Sequence, residues 1–135
     1  DYTDGDSATQ AELIAVLSSL SDVPVCQNLA ITGSMNQLGD TQAIGGVNEK
    51  IAGWYFTCKS KGLIGTQGVV IPEDNAPELM LPKEIVEAVA SGQFHIYTVT
   101  DIGEATQMMT GRNISEIDKL ICQRLTGLSS DSKYL

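Results

Sequence analysis

The run Gly68-Val69-Val70-Ile71-Pro72 gives the main indication of how this chain folds. A nearly all-apolar run of this length predicts a strand buried on both faces, because a strand with one face in water alternates apolar and polar residues. Strands of this kind are typical of parallel sheets, in which helices cover the faces. The stretch therefore predicts a sheet packed against helices.

Helical patterns lie on both sides of this strand. Residues 48–61 predict a helix whose buried stripe consists of Ile51, Trp54, Tyr55 and Cys58, with Gly62 as its C-terminal stop. The remaining predicted elements are helices over residues 83–91, 101–110 and 114–125 and a strand over residues 94–99. Strands and helices therefore alternate after residue 60.

The first 45 residues predict a different arrangement. A helix is predicted over residues 8–20 from apolar residues that return every three or four positions. Two short strands follow, over residues 29–32 and 41–44, and the glycines at 33 and 39 bracket a hairpin. We predict an α/β (α+β) fold with a mixed sheet flanked by helices, as one domain over residues 1–128, with a flexible tail over residues 129–135.

Composition excludes several functional classes. The 135 residues carry a formal net charge of −9 and no cluster of Lys and Arg, which argues against nucleic acid and anionic membranes as partners. No apolar run is long enough to cross a bilayer. Cys26, Cys58 and Cys122 lack metal-ligand spacing, so we expect no metal site. They are expected to be reduced, mostly buried thiols of a cytoplasmic protein.

Ser7 is the first residue that could carry chemistry, and two interpretations of it remain open. A serine before an apolar-periodic run, with Gln10 three residues later, is typical of a capping box. The same position also suits catalysis, because Gly5 and the free N–H groups of a helix start could hold an oxyanion. Local pattern alone favours the cap.

Lys50 is predicted to lie in the first turn of the helix over residues 48–61. It could be an ordinary surface lysine or a general base. A lysine acts as a base only when neutral, which requires burial, and Val47, Ile51 and Trp54 could supply an apolar wall. His95, the one histidine, lies within a predicted strand and is expected to be structural.

Three stretches together resemble the proteolytic domain of Lon proteases, in its LonB-like branch. Asp4-Gly5-Asp6-Ser7-Ala8 resembles the motif around the family's serine, and Gly45-Gly46-Val47-Asn48-Glu49-Lys50 resembles the run that ends in its lysine. Between them, Ala30-Ile31-Thr32-Gly33 matches an apolar strand that ends in Thr-Gly. Residues 68–72 correspond to an apolar strand of the family that ends in proline.

This resemblance implies a serine endopeptidase that uses a Ser–Lys dyad to hydrolyse unfolded or damaged proteins. Ser7 would be the nucleophile, Lys50 the general base and Thr32 the hydroxyl that orients the lysine amine. The backbone N–H groups of Gly5, Asp6 and Ser7 would form the oxyanion hole.

The resemblance also implies features outside this chain. The chain has no phosphate-binding loop, so we expect no cofactor in it, and ATP and Mg²⁺ would act through an ATPase domain elsewhere. Family members form homo-oligomeric, hexameric rings, and their proteolytic domains carry further strands ahead of the serine. We therefore expect residues 1–128 to be such a domain without its N-terminal strands. Two other functions stay open: a catalytically silent assembly domain, and an acidic α/β binding module in which Lys50 would be exposed.

Overall fold

A computed structural model describes residues 8–36 and 38–131 of the chain. Its strands are β1 (Ala8–Thr9), β2 (Leu29–Ile31), β3 (Ser34–Met35), β4 (Thr41–Gln42), β5 (Gly68–Pro72) and β6 (His95–Val99). Its helices are α1 (Gln10–Ser21), α2 (Val47–Lys61), α3 (Lys83–Ala90), α4 (Ile102–Thr110) and α5 (Ile114–Asp131), with a short 3-10 helix at Glu73–Glu78. The predicted mixed α/β class is confirmed.

The central strand is β5, as its apolar sequence predicts. It lies between β2 and β6 and is parallel to both, with Ala30 opposite Val69 and Val69 opposite Ile96. All five β5 residues are buried. The strand therefore needs apolar side chains on both of its faces, which explains why it lacks the alternation of a half-exposed strand.

Each face of this parallel sheet packs against helices and forms its own core. On one face, Val69 and Ile71 pack with side chains of α2 and α3, including Ile51 and Ile85. On the other face, Val70 packs with Ile14 of α1 and with residues of α4. Burying an aliphatic side chain of this size contributes about 1.5–3 kcal/mol, so both layers stabilise the sheet.

The prediction that residues 29–32 form the first strand of a hairpin is wrong. The stretch 29–31 pairs with β5 in the parallel sheet, and the hairpin is formed instead by β3 and β4, in a separate antiparallel sheet of order β1-β3-β4. Thr32 continues the parallel pairing, because its N–H donates to the Val70 carbonyl at 2.9 Å. Gly33 then adopts a φ of +119°, which redirects the chain from one sheet to the other.

Several helix ends follow the predicted signals. Gly62 ends α2, with its N–H donating to the Lys59 carbonyl, and the Asp101 carboxylate accepts the Glu104 N–H at the start of α4. The last helix, α5, continues past residue 125 to Asp131. It therefore includes residues 129–131 of the expected tail, whereas residues 132–135 lie outside the described part of the chain.

The expectation of mostly buried cysteines is wrong. Cys58 is buried in the core, but Cys26 and Cys122 are exposed, and all three thiols are free. Cys26 lies in the loop between α1 and β2, Cys122 lies in α5, and neither belongs to the two core clusters. Over residues 8–36 and 38–131, no helix is both long and apolar enough to cross a membrane.

Candidate active site

A pocket of about 340 Å³ opens where β2 ends and the chain passes to the second sheet. It brings together two of the residues singled out from the sequence, Thr32 and Lys50. The side chains and backbone that line it come from the start of α1, the β2–β3 corner, the segment before α2 and the first turn of α2: Thr9, Ala11, Ile31, Thr32, Gly33, Ser34, Ile44 and Lys50.

Thr32 reaches this pocket from the end of the parallel sheet. Its N–H is bonded to Val70 and its carbonyl accepts a hydrogen bond from the Gln10 side chain at 3.1 Å, so its backbone is held on both sides. Its hydroxyl is buried and has no hydrogen-bond partner within the described structure. A buried hydroxyl is normally bonded, because leaving one unpaired costs about 1–3 kcal/mol. Because Thr32 also lines the pocket, its unpaired hydroxyl is a candidate partner for a group that binds there.

Lys50 reaches the pocket from the first turn of α2. The helix starts at Gly46, whose left-handed conformation (φ +73°) suits a residue without a side chain, and the Lys50 N–H donates to the Gly46 carbonyl. The Lys50 side chain is exposed. Among residues 8–36 and 38–131 no hydrogen bond or ion pair to its ammonium is found.

The prediction that Val47, Ile51 and Trp54 form an apolar wall around Lys50 is wrong. Val47 and Ile51 point into the core instead, and Trp54 packs against that core while its indole N–H donates to the Gly68 carbonyl at 2.7 Å. The aliphatic side chains that share the pocket with Lys50 are Ile31 and Ile44, from other segments. The helical stripe that includes residues 47, 51 and 54 faces the sheet, which explains this difference.

The nucleophile and oxyanion positions, Gly5, Asp6 and Ser7, lie outside the described residues. What the structure does describe is the helix that follows them. The N-cap of α1 is Thr9, whose hydroxyl accepts the Glu12 N–H at 3.2 Å and bonds the Glu12 carboxylate at 2.7 Å. The capping box predicted for Ser7 and Gln10 is thus wrong, because the N-cap is Thr9 and its hydroxyl bonds Glu12.

The N-cap of α1 is Thr9 and not Ser7. Thr9 has the capping role that the local sequence favoured for Ser7. Thr9 also lines the pocket, and two residues of extended chain span at most about 7 Å. Sequence alone missed Thr9, and the signal that could have found it is the threonine followed by glutamate at the third position.

Gln10 is a second residue whose place the sequence did not predict. It is fully buried, and its side chain contacts the strand corner that carries Thr32. The sequence signal that could have predicted this is helical spacing. Gln10 lies four residues before Ile14, so both side chains fall on the buried side of α1.

His95 fits its structural interpretation. Its imidazole Nε2 lies 2.8 Å from the Gly65 carbonyl, and the ring stacks on Tyr97. It pairs in register with Gly68, at the amino end of the parallel strands, whereas Thr32 follows the carboxyl end of β2. His95 is therefore at the opposite end of the sheet from the pocket.

A mixed α/β domain with a lysine and a threonine of buried, unpaired hydroxyl on the lining of one pocket defines a candidate active site. Residues 2–111 match the family of the Lon protease (S16) C-terminal proteolytic domain. The chain belongs to this family, as its sequence resemblance indicated, and this membership supports a protease function.

The chain is also similar to individual Lon proteases and Lon protease homologs. The chain is 49% identical over 106 residues to a Lon protease homolog of Escherichia coli (strain K12), covering 78% of this chain and 18% of that protein. It is 40% identical over 126 residues to one of Haemophilus influenzae, covering 93% and 21%. An archaeal Lon protease of Halobacterium salinarum is 36% identical over 132 residues, covering 96% and 17%. The chain thus spans about a fifth of the length of these relatives.

Proposed function

We propose that this chain is the serine endopeptidase part of a Lon-like protease, with Ser7 as nucleophile and Lys50 as general base. The observation that carries the proposal is the pocket itself. Its lining includes Lys50, Thr32, whose buried hydroxyl makes no hydrogen bond within the described residues, and Thr9, which follows Ser7 by two positions in the sequence. These groups come from three segments that are far apart in sequence, and an unrelated set of surface residues would not be expected to meet in this way.

In the proposed reaction, the Ser7 Oγ attacks the carbonyl carbon of a peptide bond as its proton passes to the neutral Lys50 amine. Backbone N–H groups of Gly5, Asp6 and Ser7 stabilise the oxyanion. The Lys50 ammonium then donates its proton to the departing amine nitrogen, which leaves an acyl-enzyme. Water releases the acyl group in a second cycle, with Lys50 again accepting the proton.

Thr32 serves this reaction by orienting the lysine. Its buried hydroxyl has no competing partner within the described structure, so it can accept a hydrogen bond from the Lys50 amine. A substrate seated over the pocket would cover Lys50 and exclude water from it. In this proposal, substrate binding adds to Ile31 and Ile44 the desolvation that a neutral lysine requires.

The substrates and partners are also part of the proposal. We infer that the substrate is an unfolded or damaged polypeptide and that the protein works in the cytoplasm as a homo-oligomeric ring. ATP and Mg²⁺ would act through an ATPase domain outside this chain. The support is family membership, together with relatives about five times as long as this chain.

The test is casein or fluorogenic-peptide cleavage by the full-length protein with ATP. Ser7→Ala and Lys50→Ala should each reduce cleavage by at least about 1,000-fold, since each removes a group that makes or breaks bonds. Ser60→Ala and Lys61→Ala are matched controls at the far end of α2 and should cleave at the normal rate. Retained activity in either dyad variant would refute the dyad.

One observation favours a second candidate, a non-catalytic assembly or binding domain. Lys50 is exposed, as that function predicts, and no described residue pairs with it. The two candidates differ in the reactivity of Ser7. A domain used only for assembly or binding should not react there with a serine-directed reagent, whereas a peptidase should.

A further inference from the structure

Gln10 is an uncommon residue to find in a protein interior. Its side chain is 0% exposed, although glutamine is mostly found on surfaces. It lies at the first position of α1, three residues after Ser7. Burying an amide without hydrogen bonds would cost several kcal/mol, so its partners decide whether it is tolerated.

Both ends of the Gln10 amide have partners. The nitrogen donates to the Thr32 carbonyl at 3.1 Å, and the oxygen accepts the Thr41 hydroxyl at 3.0 Å. The Gln10 backbone N–H also donates to the Gly33 carbonyl at 3.0 Å. Three hydrogen bonds therefore hold the first residue of α1 against the Thr32–Gly33 corner and β4.

The corner is shaped to receive this side chain. At Gly33 a Cβ atom would lie 2.8 Å from the Gln10 amide nitrogen and 2.7 Å from the Pro72 ring, closer than real contacts allow. The glycine thus provides the space in which the amide reaches Thr32. Thr41 is in turn held next to the carboxyl end of β6, because its N–H donates to the carbonyl of Thr100, the residue that follows this strand.

We propose that Gln10 is a positioning residue: its buried amide sets the register of the Ser7 segment against the Thr32 corner of the catalytic pocket. This inference rests on the proposed function, in which Ser7 and Lys50 must meet. The hydrogen bonds of the Gln10 side chain among the described residues go to Thr32 and Thr41, and neither bond is to a group that makes or breaks bonds in the proposed reaction. Gln10 joins the chain three residues from the nucleophile to the backbone of the residue that orients the base, so its loss changes the distance between the two groups.

The expected effect is on the chemical step. Misplacing a reacting group by about 1 Å can cost about 100-fold in rate, whereas substrate binding to the rest of the pocket is unaffected. Gln10→Met keeps the length and apolar volume of the side chain and removes both hydrogen bonds. In the full-length protein we expect kcat for a short fluorogenic peptide to fall about 10- to 100-fold, with KM within about 2-fold of the normal value.

Gln67 provides a matched control for the structural cost of this change. It is also a buried glutamine, 7% exposed, and its amide makes two backbone hydrogen bonds, to Gly62 and Ile64. It precedes the amino end of β5, away from the pocket. Gln67→Met should lower the melting temperature to a similar extent and leave kcat within about 2-fold.

Thr41→Val keeps the test decisive if Gln10→Met does not fold. It removes only the hydroxyl that holds the Gln10 amide oxygen, and Thr41 does not line the pocket. We expect a fall in kcat of about 3- to 10-fold, and the double variant should be no slower than Gln10→Met alone, because both act through one contact.

Three results would overturn the inference. They are a normal kcat in folded Gln10→Met or, if that variant does not fold, in Thr41→Val; an equal loss of kcat in Gln67→Met; and a rise in KM with kcat unchanged. Failure of the proposed function gives a different result, since Ser7→Ala would then keep its activity. If Ser7→Ala is inactive and Gln10→Met is fully active, only the positioning role is wrong.

Discussion

Two threonines in this domain share an unusual property. Thr32 and Thr106 each carry a buried hydroxyl that makes no hydrogen bond within the described residues. Thr32 lies in the pocket with Lys50, whereas Thr106 is fully buried in α4. Each position carries an unpaired buried hydroxyl, so a comparison between them separates a catalytic role of Thr32 from the general effect of removing such a hydroxyl.

Thr32→Val is therefore expected to lower peptide cleavage by about 10- to 100-fold, because the Lys50 amine loses the group that orients it. The melting temperature should stay the same or rise, since the variant removes an unpaired buried polar group. Steady-state kinetics and thermal denaturation of the full-length protein measure the two effects.

Thr106→Val is the control for this prediction. It should show the same or higher melting temperature and normal cleavage. If Thr106→Val loses as much activity as Thr32→Val, or if Thr32→Val cleaves at the normal rate, the orienting role of Thr32 is wrong.

At the scale of elements, the contact between α2 and α3 includes a polar network outside the pocket. The buried Tyr55 donates its phenol hydrogen to the Glu84 carboxylate at 3.0 Å, and Lys59 forms an ion pair with the same oxygen. The hydrogen bond from Lys59, followed by that from Tyr55, lowers the pKa of the Glu84 carboxyl. Burial, and then the bond to Glu84, raises the pKa of the Tyr55 phenol.

A lowered carboxyl pKa in the folded state makes stability depend on pH in a defined direction. The contribution of Glu84 is complete above the usual glutamate pKa of about 4.3 and is lost as the pH falls through its lowered value. Glu84→Gln should thus melt at a lower temperature than the unmodified protein at pH 7. The difference should shrink as the pH falls from about 5 to about 3.

Glu87→Gln is the matched control for this prediction. Glu87 lies on the same helix, 3.8 Å from Lys83, and both side chains are well exposed. An exposed pair of this kind contributes little, so its melting temperature should follow that of the unmodified protein at every pH. A pH-independent difference for Glu84→Gln would show that the network does not act through ionisation.

Local signals predicted most of the parallel half of the molecule. The apolar run of β5 required burial on both faces, and Gly62 and Asp101 marked helix ends with their own backbone chemistry. The strands β3 and β4 could not be predicted well, because each has only two residues and the turn at Gly33 takes the chain out of the parallel sheet just before β3. Sequence periodicity does not report which of two sheets a short strand joins.

The candidate site was predicted only in part, for a similar reason. Motif resemblance identified Lys50 and Thr32, and the structure places both in one pocket. The side chains around them, Ile31 and Ile44, come from separate segments, and local pattern could not assign them to Lys50. Gln10 was misassigned to a capping box, because its partners lie 22 and 31 residues away in sequence.

For the molecule as a whole, the proposed peptidase activity requires that Ser7 is a nucleophile activated by Lys50. The most direct measurement is the reaction of the full-length protein with a serine-directed fluorophosphonate, followed by mass-spectrometric identification of the modified residue. We predict that Ser7 is modified and that Lys50→Ala slows this reaction by about 100-fold or more, because the base is lost. An unmodified Ser7 would show that Ser7 is not the nucleophile. Modification of Lys50→Ala at the same rate as the unmodified protein would show that Lys50 does not activate it.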